Sequence, residues 1–178
     1  MPESNPIIPN FRPGDHLVGL LADTHGWLHP ELQRIFAHVH HIIHAGDIGQ
    51  PRCLQALRAL APTTAVRGNI DGEEHGDLPK WAEVRVGPCH LATLHIGGAP
   101  RRPTREARAL VERLRPHVLV TGHNHVTFLD RIDTCLWINP GAAGNHGGHL
   151  QRLAAILHVH ANGHLELHRV LLGRRGER

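Results

Sequence analysis

The sequence is poor in the residues on which several classes of protein depend. Aromatic residues make up 3% of the chain and tyrosine is absent, which leaves few rings for the base-stacking platforms of single-strand nucleic-acid binders. No apolar run approaches the roughly 18 residues of a membrane span. The start of the chain is rich in proline and has no apolar signal-peptide core. We therefore expect a cytoplasmic protein with no membrane partner, and a nucleic-acid partner is disfavoured.

Cysteine is also scarce. The three cysteines are an odd number, lie far apart and form no C-x-x-C pair: Cys53, Cys89 and Cys135. This spacing argues against a disulfide framework and against a zinc site built from thiolates. We expect each cysteine to be a small buried apolar residue.

The 178 residues are about the length of one domain. Four prolines in residues 1–15 predict a flexible N-terminal extension, residues 16–173 are predicted to form a single domain, and residues 174–178 are predicted to be a basic tail. The sequence leaves the oligomeric state open, and a homo-oligomer is compatible with it.

Hydrophobic periodicity predicts a mixed α/β fold. Between residues 16 and 66, three short strands alternate with two helices, which indicates parallel strands joined by helical crossovers. A hairpin is predicted across Gly87-Pro88, and a helix from Thr104 to Pro116. Further short strands follow, and Asn162-Gly163 predicts a two-residue type I′ hairpin turn.

Polar residues that can bind metals follow the predicted strands at their ends. They are two carboxylates, one amide and four imidazoles: Asp23, His25, Asp47, Asn69, His95, His123 and His125. The carboxyl ends of strands in an open α/β sheet share one edge, so we expect these side chains to converge. Nitrogen and oxygen ligands without sulfur suit Mn, Fe, Zn, Co or Ni. Seven ligands exceed the needs of one ion, which favours two ions that share a carboxylate.

Histidine is abundant, with 19 residues, so single histidine motifs carry little weight. Three H-x-H pairs occur, at 38/40, 123/125 and 158/160, and on the order of two are expected by chance. The pairs at 38/40 and 158/160 follow no strand-to-loop transition with acidic neighbours. We interpret them as histidines on a helix surface and on a hairpin face.

The ordered set of motifs resembles the calcineurin-like metallophosphoesterases. The resemblance rests on D-T-H at 23–25, G-D at 46–47, G-N-I-D at 68–71, His95 and G-H-N-H at 122–125. R-G-N-x-D from Arg67 and I-N-P-G at 138–141 are similar to the short phosphodiesterase branch. The resemblance implies an α/β/β/α sandwich of two mixed β-sheets flanked by helices, with the metal site at the carboxyl ends of the strands.

The resemblance also implies roles for the seven residues. Asp23, His25, Asp47 and His125 would hold one metal; Asp47, Asn69, His95 and His123 would hold the other. Asp47 would bridge the two ions, and Asp47, Asn69 and His95 are the expected catalytic residues.

The implied activity is a dinuclear metal-dependent phosphoesterase, foremost a phosphodiesterase, acting on a small phosphate ester. Two divalent transition-metal ions, with Mn ahead of Fe, Zn, Ni and Co, would supply a bridging hydroxide for in-line attack. A non-catalytic protein-binding scaffold is the alternative, because the retromer subunit resembles these enzymes in fold. A nuclease acting on DNA ends is less favoured, since 178 residues leave no room for extra DNA-facing domains.

Two departures from the larger phosphatases refine the prediction. Those enzymes pair an aspartate with a histidine that protonates the leaving group, and Gln50 and Ile70 stand at the corresponding positions here. Isoleucine cannot donate a proton, which favours diesters or activated aryl esters. We predict that His146 or His149 approaches the substrate.

Other polar residues near these motifs have structural interpretations. Asp71 is interpreted as a turn residue. Arg67 is interpreted as a surface residue, with a phosphate contact as the alternative. The arginines between residues 101 and 115 are interpreted as a solvated helix face.

Overall fold

The computed structural model describes residues 11–76 and 78–176. Within these residues the chain forms strands β1 His16–Leu21, β2 His41–His44, β3 Thr63–Ala65, β4 Trp81–Val86, β5 Cys89–Leu94, β6 Gly98–Ala99, β7 Arg102–Pro103, β8 Val118–Val120, β9 Phe128–Ile132, β10 Cys135–Asn139, β11 Gln151–Val159 and β12 Leu165–Arg174. The helices are α1 Leu32–Ile35, α2 Pro51–Leu60 and α3 Arg105–Leu114, and a short 3-10 helix covers Glu73–His75.

Two five-stranded sheets form the centre of the molecule. The first has the strand order β12-β11-β1-β2-β3 and the second the order β4-β5-β8-β10-β9. The strands β1, β2 and β3 are parallel, as the predicted crossovers require. β11 pairs antiparallel with β1, and β12 pairs antiparallel with β11. In the second sheet β5, β8 and β10 are parallel and the outer strands are antiparallel. Both sheets are therefore mixed.

Alternating side chains on the strands build three apolar layers. In β1, Val18 and Leu20 point between the sheets, where they meet residues such as Leu91 of the second sheet. Leu17 and Leu21 point the other way, against α1 and α2. On the outside of the second sheet, α3 packs over Trp137 and its neighbours. The order of layers is helix, sheet, sheet, helix, which confirms the predicted α/β/β/α sandwich.

The helices follow their sequence signals with one exception. The Thr104 hydroxyl accepts a hydrogen bond from the Ala107 N–H at 3.2 Å and so caps α3. The α1 helix is shorter than the apolar spacing predicts, since it ends at Ile35. Beyond it, the Val39 N–H bonds to the Phe36 carbonyl three residues back. Phe36 and Val39 still belong to the buried apolar face, but a tighter turn rather than an α-helix places them there.

The predicted two-residue type I′ turn at Asn162-Gly163 is wrong. The His160 N–H donates to the His164 carbonyl at 2.9 Å, and the Gly163 N–H donates to the His160 carbonyl at 2.8 Å. Gly163 has a φ of 85°, whereas Asn162 is not in the left-handed region. A type I′ turn needs positive φ at both residues, and the hydrogen bonds here close a three-residue loop with glycine in the left-handed position.

The segment before β1 contacts the domain. Phe11 packs against the apolar layer under α1. Asp15 is 4% exposed and accepts backbone hydrogen bonds from Arg12 and Ala161. Residues 11–15, assigned above to the extension, therefore have tertiary contacts, and residues 1–10 lie outside the described residues. The basic tail is partly described, since β12 includes Arg174, and residues 177–178 lie outside the described part. The domain boundaries stay a prediction.

The three cysteines are buried and free, as predicted. Burial raises the pKa of the Cys89 thiol to about 11 and that of Cys135 to about 12. Both thiols are therefore protonated at neutral pH, and they act as apolar residues. Within the described residues, no helix has both the length and the apolar character required to cross a bilayer.

Candidate metal centre

The loops that follow the strands are joined at one edge of the sandwich. The Asp23 N–H donates to the Gly46 carbonyl and the His25 N–H to the Asp47 carbonyl, both at 3.0 Å. These two hydrogen bonds join the loop after β1 to the loop after β2. The Gly122 N–H donates to the His95 carbonyl at 3.0 Å and joins the loops after β5 and β8. The His123 N–H donates to the Asp23 carboxylate, so residues 100 positions apart in the chain meet at this edge.

Five of the seven predicted ligands form two overlapping groups. Ligand atoms of Asp23, His25 and His125 lie within 4.8 Å of one another, and so do those of Asp23, Asp47 and His95. The His125 Nε2 is 3.6 Å from Asp23 Oδ1 and 3.3 Å from His25 Nε2. Asp23 belongs to both groups. The two groups therefore form one centre.

Asp47 lies between the two groups. Its Oδ2 is 3.7 Å from His25 Nε2, and its Oδ1 is 3.3 Å from His95 Nε2. Each oxygen of this carboxylate therefore faces a histidine of a different group. This is the arrangement that a shared carboxylate requires.

His123 and Asn69 lie at the rim of the centre. The His123 ring meets the His95 ring edge to face, with centroids 5.2 Å apart, and its backbone N–H donates to both oxygens of Asp23 at 3.1 Å. Its side chain is outside the two groups above. Asn69 is exposed, and the N–H of the next residue, Ile70, donates to Asp47 Oδ1 at 3.1 Å.

The histidines are oriented with Nε2 toward the centre. His95 Nδ1 donates to the Ala45 carbonyl at 2.7 Å, which turns Nε2 toward Asp47. Burial lowers the pKa of His95, but hydrogen bonding and charge from Asp47 outweigh it and raise the pKa above its ordinary value. That Nε2 is buried and has no hydrogen-bond partner among the described residues. His149 Nε2 donates to the Gly144 carbonyl at 3.0 Å, so its Nδ1 accepts from His125 Nδ1 at 3.2 Å. Both His95 and His125 therefore present Nε2 as a ligand, in the way that outer partners orient metal-binding histidines.

Burial and mutual charge set the protonation of the centre. Burial raises the pKa of Asp23 to about 7. Burial also raises that of Asp47, but hydrogen bonding and charge from His95 outweigh it and lower its pKa to about 2. Burial, with His149 and His25 nearby, lowers the pKa of His125 to about 4. Carboxylates and imidazoles so close together in a buried space fit the coordination of cations.

The backbone at the predicted ligands is strained. Five of them have positive φ, from 48° to 74°: Asp23, His25, Asp47, His123 and His125. A non-glycine residue in this region costs roughly 1 to 2 kcal/mol, and such residues cluster at functional sites. The strain is a signal of function independent of the ligand types.

Two glycines of the sequence motifs are required by close approach. A Cβ at Gly68 would overlap the backbone nitrogen and Oδ1 of Asp47. A Cβ at Gly122 would lie 2.8 Å from the Ala22 Cβ and 3.0 Å from Asp23 Oδ2. At both positions, the absence of a side chain leaves room for a carboxylate of the centre.

Asp71 does more than form a turn, because it holds two loops together. It is 5% exposed and accepts backbone N–H groups from Ile48 at 3.1 Å, Gly49 at 2.9 Å and Gly68 at 2.8 Å. These bonds tie the loop after β2 to the loop after β3. The interpretation as a structural residue fits this geometry, and no local pattern in the sequence indicates the three partners.

Sequence reasoning also missed His44. This buried histidine accepts the Gly46 N–H on Nδ1 at 3.2 Å and donates from Nε2 to the Thr24 hydroxyl at 2.9 Å. The hydroxyl donates onward to the Ile48 carbonyl at 2.9 Å. Burial lowers the pKa of His44 to about 3, so the ring is neutral. The only signal in the sequence was its position two residues before the G-D motif.

The structure separates the roles of the two histidines predicted to approach the substrate. His149 is bonded to His125, as described above, and so positions a predicted ligand. The His146 ring lies against His25, with centroids 4.8 Å apart, and is exposed. A substrate contact by His146 stays a prediction.

A cleft of about 750 Å³ opens beside the centre at Asn69 and His95. Its wall is partly apolar, with Trp81, and partly cationic. The Arg113 guanidinium lies 4.3 Å from the centroid of the Trp81 ring. Arg113 was assigned to a solvated helix face, and this side chain contributes to the cleft as well. Arg67 also lines the cleft, and its guanidinium donates to the Gly76 carbonyl at 3.0 Å.

Comparison with known proteins agrees with this geometry. The model of the calcineurin-like phosphoesterase superfamily domain matches residues 17–162, which include all seven predicted ligands. The chain belongs to the calcineurin-like phosphoesterase superfamily. A relative from Methanothermobacter thermautotrophicus, named as a probable metallophosphoesterase, is 30% identical over 131 residues, which are 71% of this chain and 76% of the relative.

Solved structures of calcineurin-like phosphoesterases and related proteins share the fold. A protein described as a novel archaeal phosphodiesterase superimposes with a TM-score of 0.66 at 20% identity, over 87% of this chain and 99% of its own. Vps29 from Entamoeba histolytica, in complex with Zn²⁺, superimposes with a TM-score of 0.62 at 20% identity, over 88% and 99%. At these identities the likeness concerns the fold alone.

Proposed function

We propose that this calcineurin-like phosphoesterase is a dinuclear metal-dependent phosphodiesterase. The observation that carries the proposal is the position of Asp47, whose two oxygens face histidines of two different groups. The buried Nε2 of His95, which has no partner among the described residues, supports the fit of a cation.

The donor set suggests how two ions would be shared. Asp23, His25, Asp47 and His125 would hold one ion, and Asp47, Asn69, His95 and His123 the other. Bound divalent ions would polarise phosphoryl oxygens and acidify a water for attack. Mn²⁺ is our first choice among the metals that suit nitrogen and oxygen ligands, and Fe, Zn, Ni and Co suit the same donors.

Other residues of the chain would position these ligands. His149 and the Ala45 carbonyl fix the ring orientations of His125 and His95, which would keep both lone pairs directed at the ions. Asp71 would hold the loops that carry Asp47 and Asn69 in register.

Residue 70 supports a diester rather than an alkyl monoester as substrate. Ile70 is 48% exposed, so an apolar side chain occupies the position where larger members of the superfamily carry a proton-donating histidine. Without that acid, a poor alkoxide leaving group would depart slowly. The cleft beside Asn69 offers Trp81 to an organic substituent and the Arg113 and Lys80 cations to a phosphate. A small phosphodiester fits these features, with the cytosol as the expected compartment.

The fold shared with Vps29 supports the alternative of a non-catalytic protein-binding scaffold. The two functions differ in what they require of the centre. A scaffold can lose ligands without loss of function, whereas all seven ligand positions are filled in this chain.

The deciding experiment compares a diester with a monoester. The protein is stripped of metal, supplied with Mn²⁺, and assayed with bis-p-nitrophenyl phosphate and p-nitrophenyl phosphate. We expect metal-dependent turnover of the diester that falls to background in Asp47→Ala. The matched control is His38→Ala, which removes an exposed histidine far from the centre and should leave turnover unchanged.

Two outcomes would contradict the proposal. Turnover of the monoester alone would remove the diester preference. No turnover of either ester with Mn²⁺, Ni²⁺ or Zn²⁺ would favour the scaffold.

A further inference from the structure

A second cluster of imidazoles and carboxylates lies on the hairpin formed by β11 and β12. Its members are Asp15, His158, His160, His164, Glu166 and His168. The pair at 158/160 was interpreted as hairpin-face histidines without acidic neighbours. The structure places Asp15 and Glu166 against them, so that part of the interpretation is wrong. Tertiary pairing of β11 with β12 and with the segment before β1 produces the cluster.

Glu166 is at the centre of the cluster. Its Oε2 is 3.9 Å from His158 Nδ1 and 3.7 Å from His168 Nε2. Its Oε1 is 3.4 Å from His160 Nε2 and 3.8 Å from His164 Nε2. One carboxylate therefore has two imidazoles on each oxygen.

Three of these imidazoles have a buried nitrogen without a partner. His158 Nδ1, His160 Nε2 and His168 Nε2 have no hydrogen-bond partner among the described residues. The His158 side chain is 1% exposed, so solvent does not satisfy it. A buried polar atom without a partner is costly, and three around one carboxylate indicate a missing ligand.

The other nitrogen of His158 is fixed. His158 Nε2 donates to Asp15 Oδ2 at 2.9 Å. Asp15 in turn accepts backbone N–H groups from Arg12 and Ala161 at 3.0 Å each. The Nδ1 lone pair is therefore turned toward Glu166 and His168. A carboxylate that orients a histidine in this way is typical of metal sites.

We propose that His158 Nδ1, His168 Nε2 and the Glu166 carboxylate bind one divalent transition-metal ion such as Zn²⁺. Ligand atoms about 2.0 to 2.1 Å from a tetrahedral zinc lie roughly 3.3 Å apart, and Glu166 Oε2 lies 3.9 Å from His158 Nδ1 and 3.7 Å from His168 Nε2. The three ligand atoms all lie within 4.8 Å of one another. The partly exposed Glu166 and His168 side chains give solvent and the ion access to the site.

This site is distinct from the candidate centre. His158 pairs with Leu17 at the start of β1, whereas Asp23 follows the end of that strand. The intervening strand spans roughly 15 to 20 Å. An ion here would not touch a phosphate ester at the centre. It would instead fasten β12 to β11 and, through Asp15, to the segment before β1.

The test counts ions in the full chain. Protein stripped by a chelator is reloaded with Zn²⁺, desalted, and its zinc content per chain is measured by mass spectrometry. We expect Glu166→Gln and His168→Ala each to hold one ion fewer than the wild type. The control His38→Ala should match the wild type, and diester turnover should be equal in all four proteins.

A second measurement locates the ion. Anomalous scattering at the zinc edge from a zinc-loaded crystal should give a peak between His158 and His168. His164→Ala should keep the ion, because His164 faces the other oxygen of Glu166. Equal zinc content in every variant, or no anomalous peak at this place, would overturn the proposal. Loss of the ion in His164→Ala with retention in His168→Ala would overturn the choice of ligands.

Discussion

Replacement of Asp71 tests whether the candidate centre depends on the bonds between its loops. The Asp71 carboxylate accepts three backbone N–H groups, two on Oδ2 and one on Oδ1. Asparagine has one acceptor oxygen, which can keep the two bonds made by Oδ2. Its amide group would then face the Gly49 N–H, donor against donor.

The expected cost follows from the number of bonds lost. One unsatisfied buried donor costs about 1 to 3 kcal/mol, so we expect Asp71→Asn to lower the free energy of unfolding by about that amount. Asp71→Ala leaves three donors without an acceptor and should cost about 3 to 9 kcal/mol by the same count. A domain has only about 5 to 15 kcal/mol of stability, so the asparagine variant is the more informative one.

The assay combines urea unfolding with turnover. The unfolding midpoint of Asp71→Asn should fall with an unchanged m-value. Diester turnover should fall further than the loss of folded protein accounts for, because the loops after β2 and β3 carry Asp47 and Asn69. The control is Asp133→Asn at an exposed position with a φ of 53°, which asparagine tolerates. An Asp71→Asn protein within 0.5 kcal/mol of the wild type, with full turnover, would refute the reasoning.

Three further predictions follow from the same region. His149→Ala should weaken metal binding about 10- to 100-fold, since it removes an outer partner of a predicted ligand; a titration of activity with Mn²⁺ measures this, and an unchanged midpoint would contradict it. The pKa of His44 is lowered to about 3 from an ordinary 6.5, so the unfolded chain binds the extra proton and stability falls as pH drops below about 6.5. By pH 5 the loss is about 2 kcal/mol, and His44→Gln should remove that part of the slope in urea unfolding at pH 7 and pH 5. Gly68→Ala should abolish turnover because its Cβ overlaps Asp47, whereas Gly148→Ala, with open space around it, should keep turnover near the wild-type value.

The sequence was sufficient to predict the first strand and the longer helices. The apolar run of β1 and the helical spacing in α2 and α3 are local patterns, and each identifies its element. The order of the four layers was predicted from the resemblance to the calcineurin-like metallophosphoesterases. The turn at Asn162-Gly163 was predicted wrongly because the same dipeptide suits two loop lengths. The pairing of Val159 with Leu165 decides between them, and it is a property of two strands rather than of the turn.

The candidate ligands of the centre were predictable from the sequence, whereas the residues that hold those ligands in place were not. Residues such as Asp23 and Asp47 come directly after predicted strands and have side chains that bind metals. Their position and their side-chain type together identify them as candidate ligands. The partners of Asp71, and the bond from His149 to His125, join segments distant in sequence. Nothing local distinguishes such residues from ordinary turn and loop residues. The cluster around Glu166 was not predicted for the same reason, because Asp15 and the hairpin residues are distant in sequence.

The left-handed backbone at five predicted ligands has a consequence for how this protein can be engineered. Glycine adopts that conformation without the steric cost that aspartate and histidine bear. Replacing an exposed residue such as His123 by glycine would relieve strain while removing a predicted ligand. Selection of variants for thermal resistance alone would therefore favour substitutions that dismantle the centre, and a useful library must be screened for turnover in parallel.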